Sequence, residues 1–203
     1  MTIRVPHSAF VLLAGLLLLS VNAVAFADWR AVISPFDAGR LARLEAARTL
    51  ALHEAETRGG HGDLHAVMAV ARAVPHAVPA DVLAGAWRCR QIKLGGMTGY
   101  YVFDWFPCRI ARAGGGFTFE KDGTQRMRGA LYPDGGRWIY LGAQSARGEP
   151  WHRYSGNAPS MGPHENLDDQ VGALVGIGDD RLRLDLPEPA TKESDFDMIE
   201  LRR

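Results

Sequence analysis

The residues of this chain best suited to chemistry are its arginines. There are 20 against three lysines (Lys93, Lys121, Lys192), and three pairs lie two residues apart: Arg88 and Arg90, Arg126 and Arg128, Arg181 and Arg183. Alternate residues of a strand share a face, so each pair sets two guanidiniums side by side. On adjacent strands they would form a basic stripe for a carboxylate or phosphate, groups the planar guanidinium binds bidentately. A solvated outer face is the plainer use. Five aromatics, Tyr100, Tyr101, Phe103, Trp105 and Phe106, fall within seven residues. Read as one strand, Tyr101, Phe103 and Trp105 share one face, and Tyr100, Val102 and Phe106 the other. Such a segment is buried on both sides or lines a cavity; core packing is the simpler use and a ligand pocket the sharper one. The candidate ligand-binding set is therefore Tyr101, Phe103 and Trp105 with Arg88, Arg90, Arg126 and Arg128.

Other chemistry finds little support. No serine sits in G-x-S-x-G, and neither Ser155 nor Ser194 has an identifiable base. His61 and His65 are four apart around Asp63, but they follow Gly59-Gly60 and lack a third ligand. His164-Glu165 is not H-E-x-x-H, and Gly114-Gly115-Gly116 lacks the lysine and hydroxyl of a phosphate loop. Gly172, Gly176 and Gly178 miss the dinucleotide spacing. Asp168-Asp169 and Asp179-Asp180 are neighbours whose side chains point apart. The expectation is a protein that is not an enzyme, with no catalytic residues, metal or cofactor. With 23 basic and 23 acidic residues, zero net charge also argues against nucleic acid as a partner.

The N-terminus carries Arg4, an unbroken apolar or glycine run from Ala9 to Leu19, and Ala25-Phe26-Ala27 before Asp28. A basic start, an apolar core and a small-x-small site form the secretory pattern, with cleavage expected after Ala27. The run is short of the roughly 18 residues a spanning helix needs, so no membrane span is expected after cleavage. Export places Cys89 and Cys108 in an oxidising compartment, which favours a disulfide over two buried thiols.

The elements that must position these residues change character near residue 80. Ser34-Pro35-Phe36-Asp37 reads as a helix start. Leu41, Leu44, Ala47, Ala51 and Ala55 follow at helical spacing, and Gly59-Gly60 reads as the stop. A shorter helix is expected from Asp63, with Leu64, Val67, Met68 and Ala71 inward, ending before Pro75. From Leu83 the pattern is strand and turn: 87–94, 99–106, 108–112, 117–120, 124–132, 137–143, 171–177, 181–186 and 196–201. Asp122-Gly123 marks a hairpin. Leu182, Leu184 and Leu186 alternate with Arg181, Arg183 and Asp185, one dry face against one wet one. The stretch from Gln144 to Leu167 is long, polar and irregular, hence functional or mobile. Its Trp151 and Tyr154 are candidate interface anchors. Eight or nine short antiparallel strands hide their edges best in a closed barrel, with a sandwich as competitor. The expected fold class is α+β. Residues 1–27 form a signal peptide and 28–80 two helices packed on a small antiparallel β-barrel, residues 81–203, with one disulfide.

Leu83-Ala-Gly85-Ala-Trp87-Arg88-Cys89-Arg90, Trp105-Phe106-x-Cys108-Arg109 and Phe119-Glu120-Lys121 form the first half of a recognisable pattern. It continues with Gln125-Arg126-x-x-Gly129-x-Leu131-Tyr132, Tyr140-Leu141-Gly142, Val171-Gly172, the run from Arg181 to Pro187, and Glu193 to Leu201. With Asp28-Trp29-Arg30 in front, the chain resembles the exported bacterial family catalogued as "domain of unknown function 4893". The resemblance implies export and carries no activity. Gly85-x-Trp87 opening the first barrel strand, with an early disulfide, also resembles lipocalin-like proteins and periplasmic inhibitors of secreted metalloproteases, as fold-level analogy only. The expectation is a periplasmic, monomeric, non-enzymatic β-barrel that binds a small molecule or other ligand. The alternative is a protein-interaction module, such as a periplasmic protease inhibitor, whose partner is a periplasmic protein.

Overall fold

Ser34 starts the first helix as its spacing implies: its Oγ accepts from the Asp37 N–H at 3.1 Å, with Pro35 at the first position. The computed structural model describes residues 28–97, 99–159 and 168–203; the expected signal peptide and the last part of the long loop lie outside the described residues. One helix was expected to run to Gly59. Instead α1 (Pro35–Ala42) stops at Arg43, whose φ/ψ of −94°/7° leaves the helical range, and α2 (Leu44–Arg58) starts beyond it. The break changes direction, so that α1 meets one strand of the sheet and α2 meets others. After β1 (Gly60–His61), Asp63 caps α3 (Leu64–Ala71) through the N–H groups of His65 and Ala66. A single turn, α4 (Ala80–Leu83), leads into the strands.

These are β2 (Gly85–Leu94), β3 (Tyr100–Val102), β4 (Phe106–Ala113), β5 (Gly116–Lys121), β6 (Gln125–Asp134), β7 (Arg137–Ala146), β8 (Asp169–Gly178), β9 (Arg181–Pro187) and β10 (Phe196–Arg202). Around the ring the order is β2-β10-β9-β8-β7-β6-β5-β4, and β4 returns to β2: a closed, eight-stranded antiparallel barrel. Closure removes the unpaired edges. β2 is shared along its length. Gly85 to Cys89 pair with β4, and Ile92 to Leu94 pair with β3, which carries β1 on its other side.

The expected single strand 99–106 is thus interrupted. From the pair Val102–Ile92 to the pair Phe106–Cys89 one side advances four residues and the other three, so the chain bulges. The Phe103 N–H still donates to the Gln91 carbonyl at 2.9 Å. One extra residue inverts the facing of everything beyond it. Tyr100 and Val102 therefore pack outside with the helices, whereas Cys108 and Ile110 point into the barrel.

The lumen is packed from the middle to one end. Leu83, Trp87, Ile110, Phe117, Phe119, Leu131, Trp138, Tyr140, Leu174, Leu184 and Ile199 are all buried there in one apolar cluster. Phe117 meets Trp138 edge-on at 5.1 Å, and Phe119 meets Tyr140 likewise at 5.8 Å. Gly142 makes this possible, since a Cβ there would lie 2.2 Å from the Tyr140 hydroxyl oxygen. A hollow, ligand-holding barrel centre is therefore not what the chain builds. A second cluster joins Leu41, Leu44, Ala51, Ala55, Val67 and Val70 of the helices to Ile92, Leu94, Ile139, Leu141, Val171 and Met198 on the outer wall.

Cys89 and Cys108 form the disulfide, with Cα atoms 5.8 Å apart, across the β2–β4 seam that closes the barrel. Reduction, or the double change to alanine, should cost about 3 kcal/mol on the chain-entropy model. Urea unfolding of the oxidised and reduced protein measures it; equal midpoints would show that closure does not depend on the bridge.

Candidate functional site

β2 and β10 lie side by side with even-numbered residues outward, which places Arg88 and Arg90 next to Glu200 and Arg202. The bulge between β3 and β4 swings Trp105 over them. The guanidinium carbons of Arg88, Arg90 and Arg202 lie 5.6, 5.0 and 5.0 Å from the Trp105 ring centre. This is cation–π range for all three. Beneath them Glu200 is completely buried. It accepts from Arg90 Nε at 2.7 Å, Arg202 Nε at 2.7 Å and Arg181 Nη2 at 2.8 Å. Arg88 is exposed and has no ion pair among the described residues. Four guanidiniums thus surround one carboxylate and one indole.

Burial pushes the Glu200 carboxyl up, but the hydrogen bonds from Arg181 and Arg202 and the charge of Arg90 outweigh it, so its pKa lies below the usual glutamate value. The patch is therefore cationic and preorganised: the guanidinium planes are fixed by glutamate below and indole beside them, and their outer edges face solvent. Such an array can take a carboxylate or phosphate.

The other expected ligand residues lie elsewhere. Tyr101 is exposed and stacks on His61 at 4.7 Å, with Phe103 beside it at 4.7 Å. Neither shares a face with Trp105, because the bulge comes between. Arg126 and Arg128 are on β6, separated from β2 by β4 and β5. Arg126 lies 4.2 Å over the Trp151 ring, and Arg128 pairs with Glu120 at 3.0 Å. Arg181 joins the patch through Glu200, but its neighbour Arg183 is buried under α3. There it binds both oxygens of Asp185, at 2.7 and 2.9 Å, and donates to the carbonyls of Val70 and Ala71 at 2.8 and 3.0 Å. Sequence reasoning missed Glu200 and Arg202. Nothing local says that β10 abuts β2.

The described part of the long loop is tied down. The His152 N–H donates to Ser145 Oγ at 2.8 Å, and its ring meets Asp168 at 2.7 Å. Ser155 donates to Asp169 through both N–H and hydroxyl. The half-buried Tyr154 donates to Asp37 Oδ2 at 2.7 Å and accepts from the Ser34 N–H at 3.0 Å. Tyr154 and Trp151 thus both contact the body of the protein, Trp151 beneath Arg126. Among the described residues no group of three metal-ligating side chains converges, and no helix is long and apolar enough to cross a membrane.

A family model described as "Domain of unknown function (DUF4893)" matches residues 29–201. No curated protein and no solved structure matches the chain.

The lowered pKa of Glu200 carries a sign. It contributes stability above its unfolded value of roughly 4.3, and that stability is lost as pH falls through the folded value. Glu200→Gln should cost about 3 kcal/mol at pH 7, the scale of a broken buried pair. The gap to the parent should close in acid, as pH falls through the lowered folded pKa. Urea unfolding at pH 7 and in acid reads it; a gap independent of pH would mean that Glu200 is not the ionised centre of the patch.

Proposed function

The chain belongs to the DUF4893 family, and from its geometry we propose that it is a binding module that recognises an anionic group on its outer wall. The observation that carries this reading is the convergence of Arg88, Arg90 and Arg202 on Trp105 over the buried Glu200. One carboxylate against four guanidiniums leaves an excess of positive charge in a rigid array. The ligand class is a carboxylate or phosphate. Stacking on Trp105 gives the array an apolar flank, suited to an anion attached to a flat or aliphatic body. The module works without bond-making chemistry. Its setting is the periplasm, supported by the secretory pattern ahead of Asp28 and by a disulfide of the kind that oxidising compartments sustain. Likeness to lipocalin-like barrels supports binding at the level of fold alone, and because the middle of the lumen is packed, the proposed site lies on the wall. The alternative, a protein-interaction module anchored by Trp151 and Tyr154, has less support, because both side chains also contact their own protein.

The test is calorimetric titration of the purified chain with inorganic pyrophosphate and with citrate, at low and moderate salt. Arg88 is the residue to change, since its loss leaves the Glu200 bonds intact. Arg88→Ala should weaken binding about tenfold, the worth of one charge-assisted hydrogen bond. The melting temperature should stay where it was, and added salt should weaken the parent's binding. Binding that ignores both Arg88→Ala and salt, or no binding of either anion, overturns the proposal.

A further inference from the structure

One end of the barrel interior is polar, in contrast to the packed remainder. Alternation carries Gln91 and Lys93 inward after Cys89 on β2, Lys121 inward after Phe119 on β5, and Asp197 inward before Ile199 on β10. Lys93 and Asp197 are register partners. Gln170 on β8 is partner to Gly142, the glycine beneath the Tyr140 hydroxyl. Of these, Lys121 is 2% exposed, Gln170 2% and Tyr140 0%.

Hydrogen bonding at this end is incomplete among the described residues. Asp197 accepts from Gln91 Nε2 at 2.8 Å and Ser194 Oγ at 2.5 Å. Lys121 Nζ donates to the Gln125 carbonyl at 2.6 Å. An ammonium has two more hydrogens to place. Among the described residues the Tyr140 hydroxyl, Gln125 Oε1 and Gln170 Oε1 are buried without partners. Leaving buried polar atoms unpaired is costly, so three at one end of a lumen otherwise filled with hydrocarbon ask for an occupant. At the mouth Glu193, from the connection between β9 and β10, pairs with Lys93 and accepts from Gln125 Nε2 at 3.4 Å. Its side chain is 49% exposed against 11% for Lys93. A half-exposed carboxylate of the chain itself therefore covers Lys93 at this end.

We propose that this polar end is an internal site for a small hydroxy- or amino-carboxylate, which displaces Glu193. The ligand's carboxylate takes Lys93 and the free hydrogens of Lys121. Its hydroxyl donates to Gln170 Oε1 and accepts from the Tyr140 O–H, whereas an ammonium in its place donates to both oxygens. Asp197 raises the Lys121 pKa through its charge, while burial pushes its own carboxyl up. Burial lowers the Lys121 pKa to about 8, even with Asp197 and Asp122 raising it, so the amine is still mostly protonated at neutral pH. The site is separate from the arginine patch, whose failure or success leaves it untouched.

The probe is glycolate, titrated at pH 7 into the full chain, with the side-chain amide signals of Gln125 and Gln170 as readout. Glu193→Gln should tighten binding about tenfold by freeing Lys93 from a charge-assisted contact. Lys121→Met, which keeps the bulk and removes a buried charge, should abolish it. Arg88→Ala should leave it unchanged. If Lys121→Met does not fold, Tyr140→Phe removes only the unpartnered hydroxyl and should weaken binding severalfold. Unmoved Gln125 and Gln170 signals in Glu193→Gln overturn the proposal. So does binding that survives Lys121→Met or Tyr140→Phe, or that is lost in Arg88→Ala.

Discussion

The structure depends on how β2 closes the barrel. A ring of antiparallel strands has no free edge only if its first and last members pair, and here β2 must serve β10 on one side and both β4 and β3 on the other. The chain meets that demand with one extra residue between Val102 and Phe106. The bulge turns Cys108 inward to meet Cys89 and leaves Trp105 outside against the arginines of β2 and β10. The disulfide and the arginine patch are thus two faces of the same seam.

Buried charge is the second organising feature. Arg40 and Arg183 are each 1% exposed, and each joins a helix to a strand. Arg40 donates to Asp37 at 2.8 Å and to the carbonyls of Asp169 and Pro187. Arg183 is held by Asp185 while collecting carbonyls at the end of α3. Carbonyls in the last turn of a helix lack their full set of intrahelical donors, and a cation there also meets the negative end of the helix dipole. Such pairs add little net stability over apolar packing, but they tolerate one geometry only. They fix where the helices lie on a wall whose apolar surface alone would allow sliding.

Helix starts and strand runs were legible because their signals are local. Ser34-Pro35 and Asp63 cap as their types require, and Leu182, Leu184 and Leu186 alternate inward as written. The break at Arg43 was not legible, since no glycine or proline marks it; the direction is imposed by the wall. The aromatic run misled for a related reason. Its alternation is regular in sequence, but a bulge set by the partner strand splits it, so Tyr101, Phe103 and Trp105 do not share a face. Of the expected ligand residues, Arg88, Arg90 and Trp105 come together, whereas Arg126 and Arg128 stand across two intervening strands.

By itself the sequence determined the antiparallel barrel class and the pairing of its two cysteines, along with the supply of arginines. Alternation, turn residues and composition act over a few residues, and a disulfide between two cysteines has one possible partner. Only the tertiary structure decided which strands are neighbours. That choice put Glu200 beneath three guanidiniums, packed the lumen around Tyr140 and gathered Lys121 and Asp197 at one end. Register between distant strands is set by closure and packing of the whole ring, and no short stretch of sequence records it.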